Sequence, residues 1–175
     1  MTVRKMARCG LCTALLCICA WLAVPFGDVR ITMQTFGVFL CLGLLGGKWG
    51  TISVFLYLLL GAVGLPVFSG FRGGLGALLD MTGGYLWGFL GMSLLFWLVT
   101  SLFGEGKKVR LLALIAGLCF CYVLGTVWYW RMYAGKGYAA AFWVVAAKCV
   151  APFVIPDGIK LGLACILTNR MKRFV

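Results

Sequence analysis

Tyr85-Leu-Trp-Gly-Phe-Leu-Gly-Met-Ser-Leu-Leu-Phe-Trp-Leu-Val-Thr-Ser-Leu-Phe103 decides which solvent this chain folds in. It holds no charged residue and no proline. A bilayer-crossing helix needs about 20 such residues. The run therefore reads as a transmembrane span. Downstream, the polar connector Gly104–Arg110 separates it from a second long apolar run, Leu111–Trp130. Upstream, a first span covers Arg8–Val24 and stops at Pro25, and Phe26–Thr35 reads as an external loop. Two short spans, Phe36–Leu45 and Thr51–Val63, flank a turn at Gly46-Gly47-Lys48-Trp49-Gly50.

The rest of the chain is less regular. Gly64–Gly84 holds Pro66 and seven glycines. Irregular backbone at membrane depth survives only where protein or water covers it. This loop therefore either lies outside or folds back to line a cavity. Arg131–Tyr138 reads as a second external connector, and Ala139–Val150 as a half-span or loop helix interrupted by Lys148. The last helix is expected to open at Pro156 and run to Asn169, before a basic tail.

Composition agrees. Of 175 residues, 63% are hydrophobic and 11% charged, and mean hydropathy is +1.06. Soluble domains are about half apolar and about a quarter charged. The fold class expected is an all-α polytopic membrane protein of six transmembrane helices, one membrane domain spanning residues 1–175. The N-terminal run resembles a signal peptide after Arg4, Lys5 and Arg8, but no clear small-residue cleavage site follows, so it reads as a retained helix.

Sixteen Lys and Arg face four acids, an imbalance that can mark nucleic-acid binding. Here the cations sit between apolar runs, which argues against nucleic acid. Six spans place Arg4, Lys5, Arg8, Lys48, Lys107, Lys108, Arg110, Arg170, Lys172 and Arg173 on one side. Arg30, Arg72, Arg131, Lys136, Lys148 and Lys160 fall on the other. Cytoplasmic loops collect Lys and Arg, so both termini are expected in the cytoplasm. The nine cysteines form no paired CxxC units and there is no histidine, so no metal site is expected. They read as small apolar fillers.

Asp157 and Lys160, three residues apart, share a helix face. Pro156 as the helix start would put Asp157 in the first turn, where the helix dipole favours a carboxylate. Ionisable residues within membrane segments usually face a bundle interior or cavity. They can bind a polar guest or form an ion pair that only supports itself. Arg72, in Gly70-Phe71-Arg72-Gly73-Gly74, is either an exposed loop cation or a fork for a carboxylate, with Gly73 and Gly74 permitting close approach. Phe68, Phe71 and Tyr85 can wall an apolar pocket or simply pack. Gly10 and Ala14 form a small-xxx-small pair on the first helix. Nothing supports catalysis: there is no nucleophile–base set and no phosphate-cradling GxxxxGK[ST].

With these stretches in view, the chain resembles the BioY family, the biotin-binding substrate components of energy-coupling factor transporters. The likeness is carried by Lys48–Val54, Leu59–Phe68, Gly73-Gly74, Thr82-Gly83-Gly84-Tyr85, the Pro156-Asp157 and Lys160 stretch, and Met33-Gln34-Thr35-Phe36. It implies six helices with loops over a ligand pocket near the external face of a bacterial cell membrane. It implies a ligand, biotin, with no cofactor. Asp157 is expected to accept from the ureido N–H groups and Lys160 to donate to the ligand, with Gln34, Phe68, Arg72, Gly73, Gly74 and Tyr85 nearby. It implies partners too: a transmembrane coupling subunit docking near Gly10 and Ala14, and two ATPase subunits. In the family's mechanism the loaded component tilts and delivers its ligand inward.

The chain departs from the family pattern at three places. Asp80-Met81 stands where Gly-Pro usually precedes Thr-Gly-Gly. Arg72 replaces an Asn found in some members, and Leu86 replaces an Arg. Arg72 is the expected substitute for the missing carboxylate contact. Specificity for another vitamin or a biotin precursor, and solitary transport without the ATPases, remain open alternatives.

Overall fold

A computed structural model describes residues 3–26, 29–135 and 141–172. Asp28, Lys136 and Arg173, and the first residues of the expected half-span, lie outside them. Regular structure among the described residues is helical apart from one small hairpin. Helix α1 (Val3–Trp21) leads into strands β1 (Ala23–Phe26) and β2 (Val29–Thr32), paired antiparallel with Ala23 opposite Thr32 and Pro25 opposite Arg30. Then come α2 (Gln34–Ala62), the short α3 (Leu75–Leu79), α4 (Gly83–Phe103), α5 (Lys107–Gly135) and α6 (Phe142–Met171).

Helix α2 is not one rod. Gly46 has φ 76° and ψ 180°, a conformation essentially reserved for glycine. A straight helix would hold residues 34 and 57 roughly 35 Å apart. Instead the Gln34 amide donates to the Tyr57 hydroxyl at 2.6 Å, so the chain doubles back at the kink. The turn expected at 46–50 is thus a single-residue reversal between two antiparallel helical arms.

Helices α2, α4, α5 and α6 are long and apolar enough to cross a membrane, although the kink divides α2. Their outer faces are apolar: Leu94 and Leu98 on α4, Leu112 and Val123 on α5, Ile155 and Ile159 on α6 are all exposed. Contiguous apolar surface on this scale is foreign to soluble monomers. This is a membrane protein. Inside it, α4 and α5 approach through glycines. A Cβ at Gly88 would lie 2.7 Å from the Cys121 sulfur and one at Gly117 2.6 Å from Met92, while Gly84 and Gly125 receive Trp128 and Tyr85. Such small-residue seams bring helices close where lipid gives no hydrophobic drive.

Three sequence expectations need correction. The last helix does not open at Pro156. It begins at Phe142 and runs on through Pro152 and Pro156, so residues 142–150 are its first turns rather than a half-span. Interior prolines are tolerated in membrane helices because neighbours and local adjustment satisfy the freed backbone groups. Asp157 therefore owes nothing to a helix N-terminus. The external segment Phe26–Thr35 is partly strand and partly the start of α2, and the glycine-rich loop contains α3.

The two ends of the bundle differ. Gly46 approaches Glu105, and Lys172 reaches Glu105 at 3.7 Å. Burial and neighbouring Arg110 push the Lys172 ammonium below its usual pKa, against the pull of Glu105. Lys5 lies over the Trp49 ring at this same end. The opposite end carries the hairpin, the 64–74 loop and α3. There the Trp21 indole donates to the Pro66 carbonyl at 2.9 Å, and the Trp128 indole to the Asp80 carbonyl at 3.0 Å.

Candidate functional site

Helix α6 buries a narrow stripe: Val145, Cys149, Asp157, Lys160, Leu161, Ala164 and Thr168. The three- and four-residue steps are those of one helical face. Asp157 and Lys160 sit within that stripe, 1% and 6% exposed. The Lys160 ammonium meets Asp157 Oδ1 at 2.7 Å. The Thr35 hydroxyl, on the first turn of α2, donates to the same oxygen at 2.8 Å. The Tyr122 hydroxyl, from α5, donates to Oδ2 at 2.6 Å. Lys160 also donates to the Thr32 carbonyl at 2.7 Å and to the Thr35 hydroxyl at 3.3 Å. Buried ions persist only when paired and hydrogen bonded, and this network meets that condition. All three ammonium protons have acceptors. Oδ2 receives one donor and keeps capacity for another N–H.

A cavity of about 610 Å³ opens beside the pair. Phe68, Leu86 and Phe89 supply apolar wall, and Tyr85, Tyr122, Tyr129 and Tyr133 supply rings with hydroxyls. Phe68 is fixed edge-on to Tyr57, with ring centres 5.4 Å apart, and its ring fills the space a Cβ at Gly61 would need. Gln34 also lines the cavity and accepts from the Thr32 hydroxyl at 3.0 Å. Size and lining match ordinary small-molecule sites, which run to about 300–1,000 Å³.

Arg72 lines the exposed edge of the cavity, its Nη1 2.7 Å from Asp80 Oδ2. Two of the departures from the family pattern thus meet as one ion pair. Its Nε donates to the Ser69 carbonyl at 3.3 Å. Gly73 and Gly74 are not on the cavity wall. Gly73 packs on the Gly64 and Leu65 carbonyls, and the Gly74 N–H donates to the Gly61 carbonyl at 2.7 Å, so both shape the loop. Gly10 and Ala14 lie exposed on the outer face of α1. Several lining residues were not singled out as site candidates from sequence, among them Arg30, Thr32, Thr35, Ser69 and Tyr122. Thr35 stands inside the family-like Met33–Phe36 stretch, and Arg30 was marked only as a cation of the external side.

Comparison with known proteins supplies the remaining context. The BioY family model matches residues 1–175. A biotin transporter BioY of Thermotoga maritima is 39% identical over 174 residues, covering 98% of this chain and 97% of its own. A probable biotin transporter BioY of Pyrococcus horikoshii is 35% identical and covers 98% of each chain. The crystal structure of the S-component for biotin from an ECF-type ABC transporter superimposes with a TM-score of 0.85 at 27% identity, covering 99% of this chain and 95% of that one. With a family match along the whole length and relatives of this identity and coverage, the chain belongs to the BioY family.

Proposed function

We propose that this chain is the biotin-recognising membrane component of an energy-coupling factor transporter. The observation that carries the reading is the buried Asp157–Lys160 pair beside a cavity of about 610 Å³ in a BioY-family chain. Biotin's ureido ring offers two N–H donors and a carbonyl beside an apolar thioether. Asp157 Oδ2 has capacity for one N–H, while Phe68, Tyr85 and Phe89 face the apolar part. Lys160 reaches a ligand carbonyl by giving up its longest bond, to Thr35.

In this reading α1, the two arms of α2, α4, α5 and α6 are six spans of one membrane domain in the prokaryotic plasma membrane. The end bearing Gly46, Glu105 and the larger cation share faces the cytoplasm, with both termini. The cavity then faces outward. The exposed Gly10/Ala14 strip offers close approach to a transmembrane coupling subunit, and two ATPase subunits supply the work. Recognition itself invokes neither cofactor nor metal.

Purified protein titrated with labelled biotin, without ATP, tests the proposal. Binding is expected, with desthiobiotin, which keeps the ureido group, competing better than lipoate or thiamine. Failure to bind in both detergent and lipid would remove the assignment.

A further inference from the structure

Among the described residues, the ion pairs around the cavity leave one cation over. Among the described residues the lining includes Arg30, Arg72 and Lys160 against Asp80 and Asp157. Lys160 is joined to Asp157, and Arg72 to Asp80, each at 2.7 Å. Arg30 makes no ion pair with a described residue. Its Nη1 donates to the Ser69 carbonyl at 3.1 Å, the same carbonyl that receives Arg72 Nε. Two guanidiniums are thus held side by side, an arrangement that favours an anion between them. Arg30 lies directly over Gly70, in space that a Cβ would fill. Ser69 itself lines the cavity, and its hydroxyl oxygen is shielded from solvent with no hydrogen-bond partner among the described residues. Buried hydroxyls are normally hydrogen bonded, and this one has its donor free of any described protein acceptor.

We infer that Arg30, with the Ser69 hydroxyl, receives the carboxylate of a monoanionic ligand, while Arg72 is committed to Asp80. The strand β2 ties the two polar ends of the site together. Arg30 and Thr32 project from the same face of β2, about 7 Å apart at their Cα atoms. Thr32 is the residue whose carbonyl holds Lys160. A guest with a polar ring at Asp157 and an anionic tail meets both ends of one short strand. This builds on the reading of the cavity as the biotin site and names the residue that reads the ligand's charged end.

The test compares biotin with biotin methyl ester and biotinamide on wild-type, Arg30→Gln, Arg30→Lys, Ser69→Ala and Gly70→Ala proteins. Arg30 is exposed, so the effect is at the modest end for a charged hydrogen bond, about tenfold in affinity. Wild type is expected to prefer biotin over the two neutral derivatives by that factor. Arg30→Gln should lose the preference by weakening biotin alone, and Arg30→Lys should keep most of it. Gly70→Ala should mimic Arg30→Gln by evicting the guanidinium, and Ser69→Ala should lose part of the preference. Equal binding of biotin and its methyl ester to wild type overturns the inference, as does an Arg30→Gln variant that weakens all three ligands equally. A wild type that binds none of them overturns the transport reading itself, a distinguishable result.

Discussion

Asp157→Asn separates charge from shape. The amide is isosteric, and its oxygen can still accept from Thr35 and Lys160. Its nitrogen then faces the Tyr122 hydroxyl, which can turn from donor to acceptor. What vanishes is the counter-charge of an ammonium 6% exposed. Breaking a buried pair by neutralising one partner costs about 3–5 kcal/mol. Because the pair borders a polar cavity, a loss near 3 kcal/mol is expected. A guest N–H would meet another N–H where Oδ2 stood. Losing a charged hydrogen bond removes about 1.5–3 kcal/mol, a fall of roughly 10- to 150-fold in biotin affinity. Thermal unfolding and biotin titration on one preparation measure both effects. The companion variant Asp157→Leu/Lys160→Met replaces both charges with apolar groups. It should recover most of the stability while biotin binding stays lost. Wild-type affinity in Asp157→Asn would refute the ligand role, and a double variant no more stable than the single would refute the accounting for the pair.

Other perturbations probe the supports of the site. Tyr122→Phe removes the 2.6 Å donor to Oδ2 and should weaken biotin binding by about 1 kcal/mol, roughly fivefold, in the same titration. Gly46→Ala forces a side chain into φ 76° and should lower stability by about 1–3 kcal/mol in thermal unfolding, with biotin affinity less affected because the kink lies at the far end. Gly61→Ala drives a methyl into the Phe68 ring, so a stability loss of about 1–3 kcal/mol should come with weaker biotin binding. Arg72→Ala leaves the Asp80 carboxylate at the cavity edge without this partner. Biotin binding should weaken a few-fold, less at high salt, because the pair is 41% and 44% exposed.

The membrane class and the long spans were legible because apolar length is a one-dimensional property. Tyr85–Phe103 reads the same whatever it packs against. The reversal at 46–50 was legible from its glycines. The start of the last helix was not. Pro156 is a good helix opener by local rules, yet α6 passes through it and Pro152, as membrane helices tolerate interior prolines. The rule that puts Asp157 and Lys160 on one face needs only their three-residue spacing, so it survived the wrong boundary. Thr32, Thr35 and Tyr122 reach the pair across 35 to 128 positions of sequence. A hydroxyl in an apolar run carries no local mark of its partner. Arg30 was visible only as an external cation, and its want of an acidic partner among the described residues emerges only when Arg72 is seen to hold Asp80.

The site resolves a tension that any empty vitamin pocket in a membrane faces. Two opposite charges must wait there without ligand and still be able to receive one. Lys160, with three acceptors for three protons, is the resting half, and it locks β2 to α6 through Thr32. In the proposed reading Asp157 is the receptive half, since Oδ2 can take a ligand N–H without releasing Tyr122. In that reading ligand binding adds a bond at Asp157 and exchanges only the longest Lys160 bond, to Thr35, so most of the paired network stays intact and the desolvation cost of association stays low. The Lys160–Thr32 bond ties the proposed ring site to the same hairpin that carries Arg30. Recognition of the head of the ligand and of its tail is therefore coupled through four residues of strand, and loosening either end should be felt at the other.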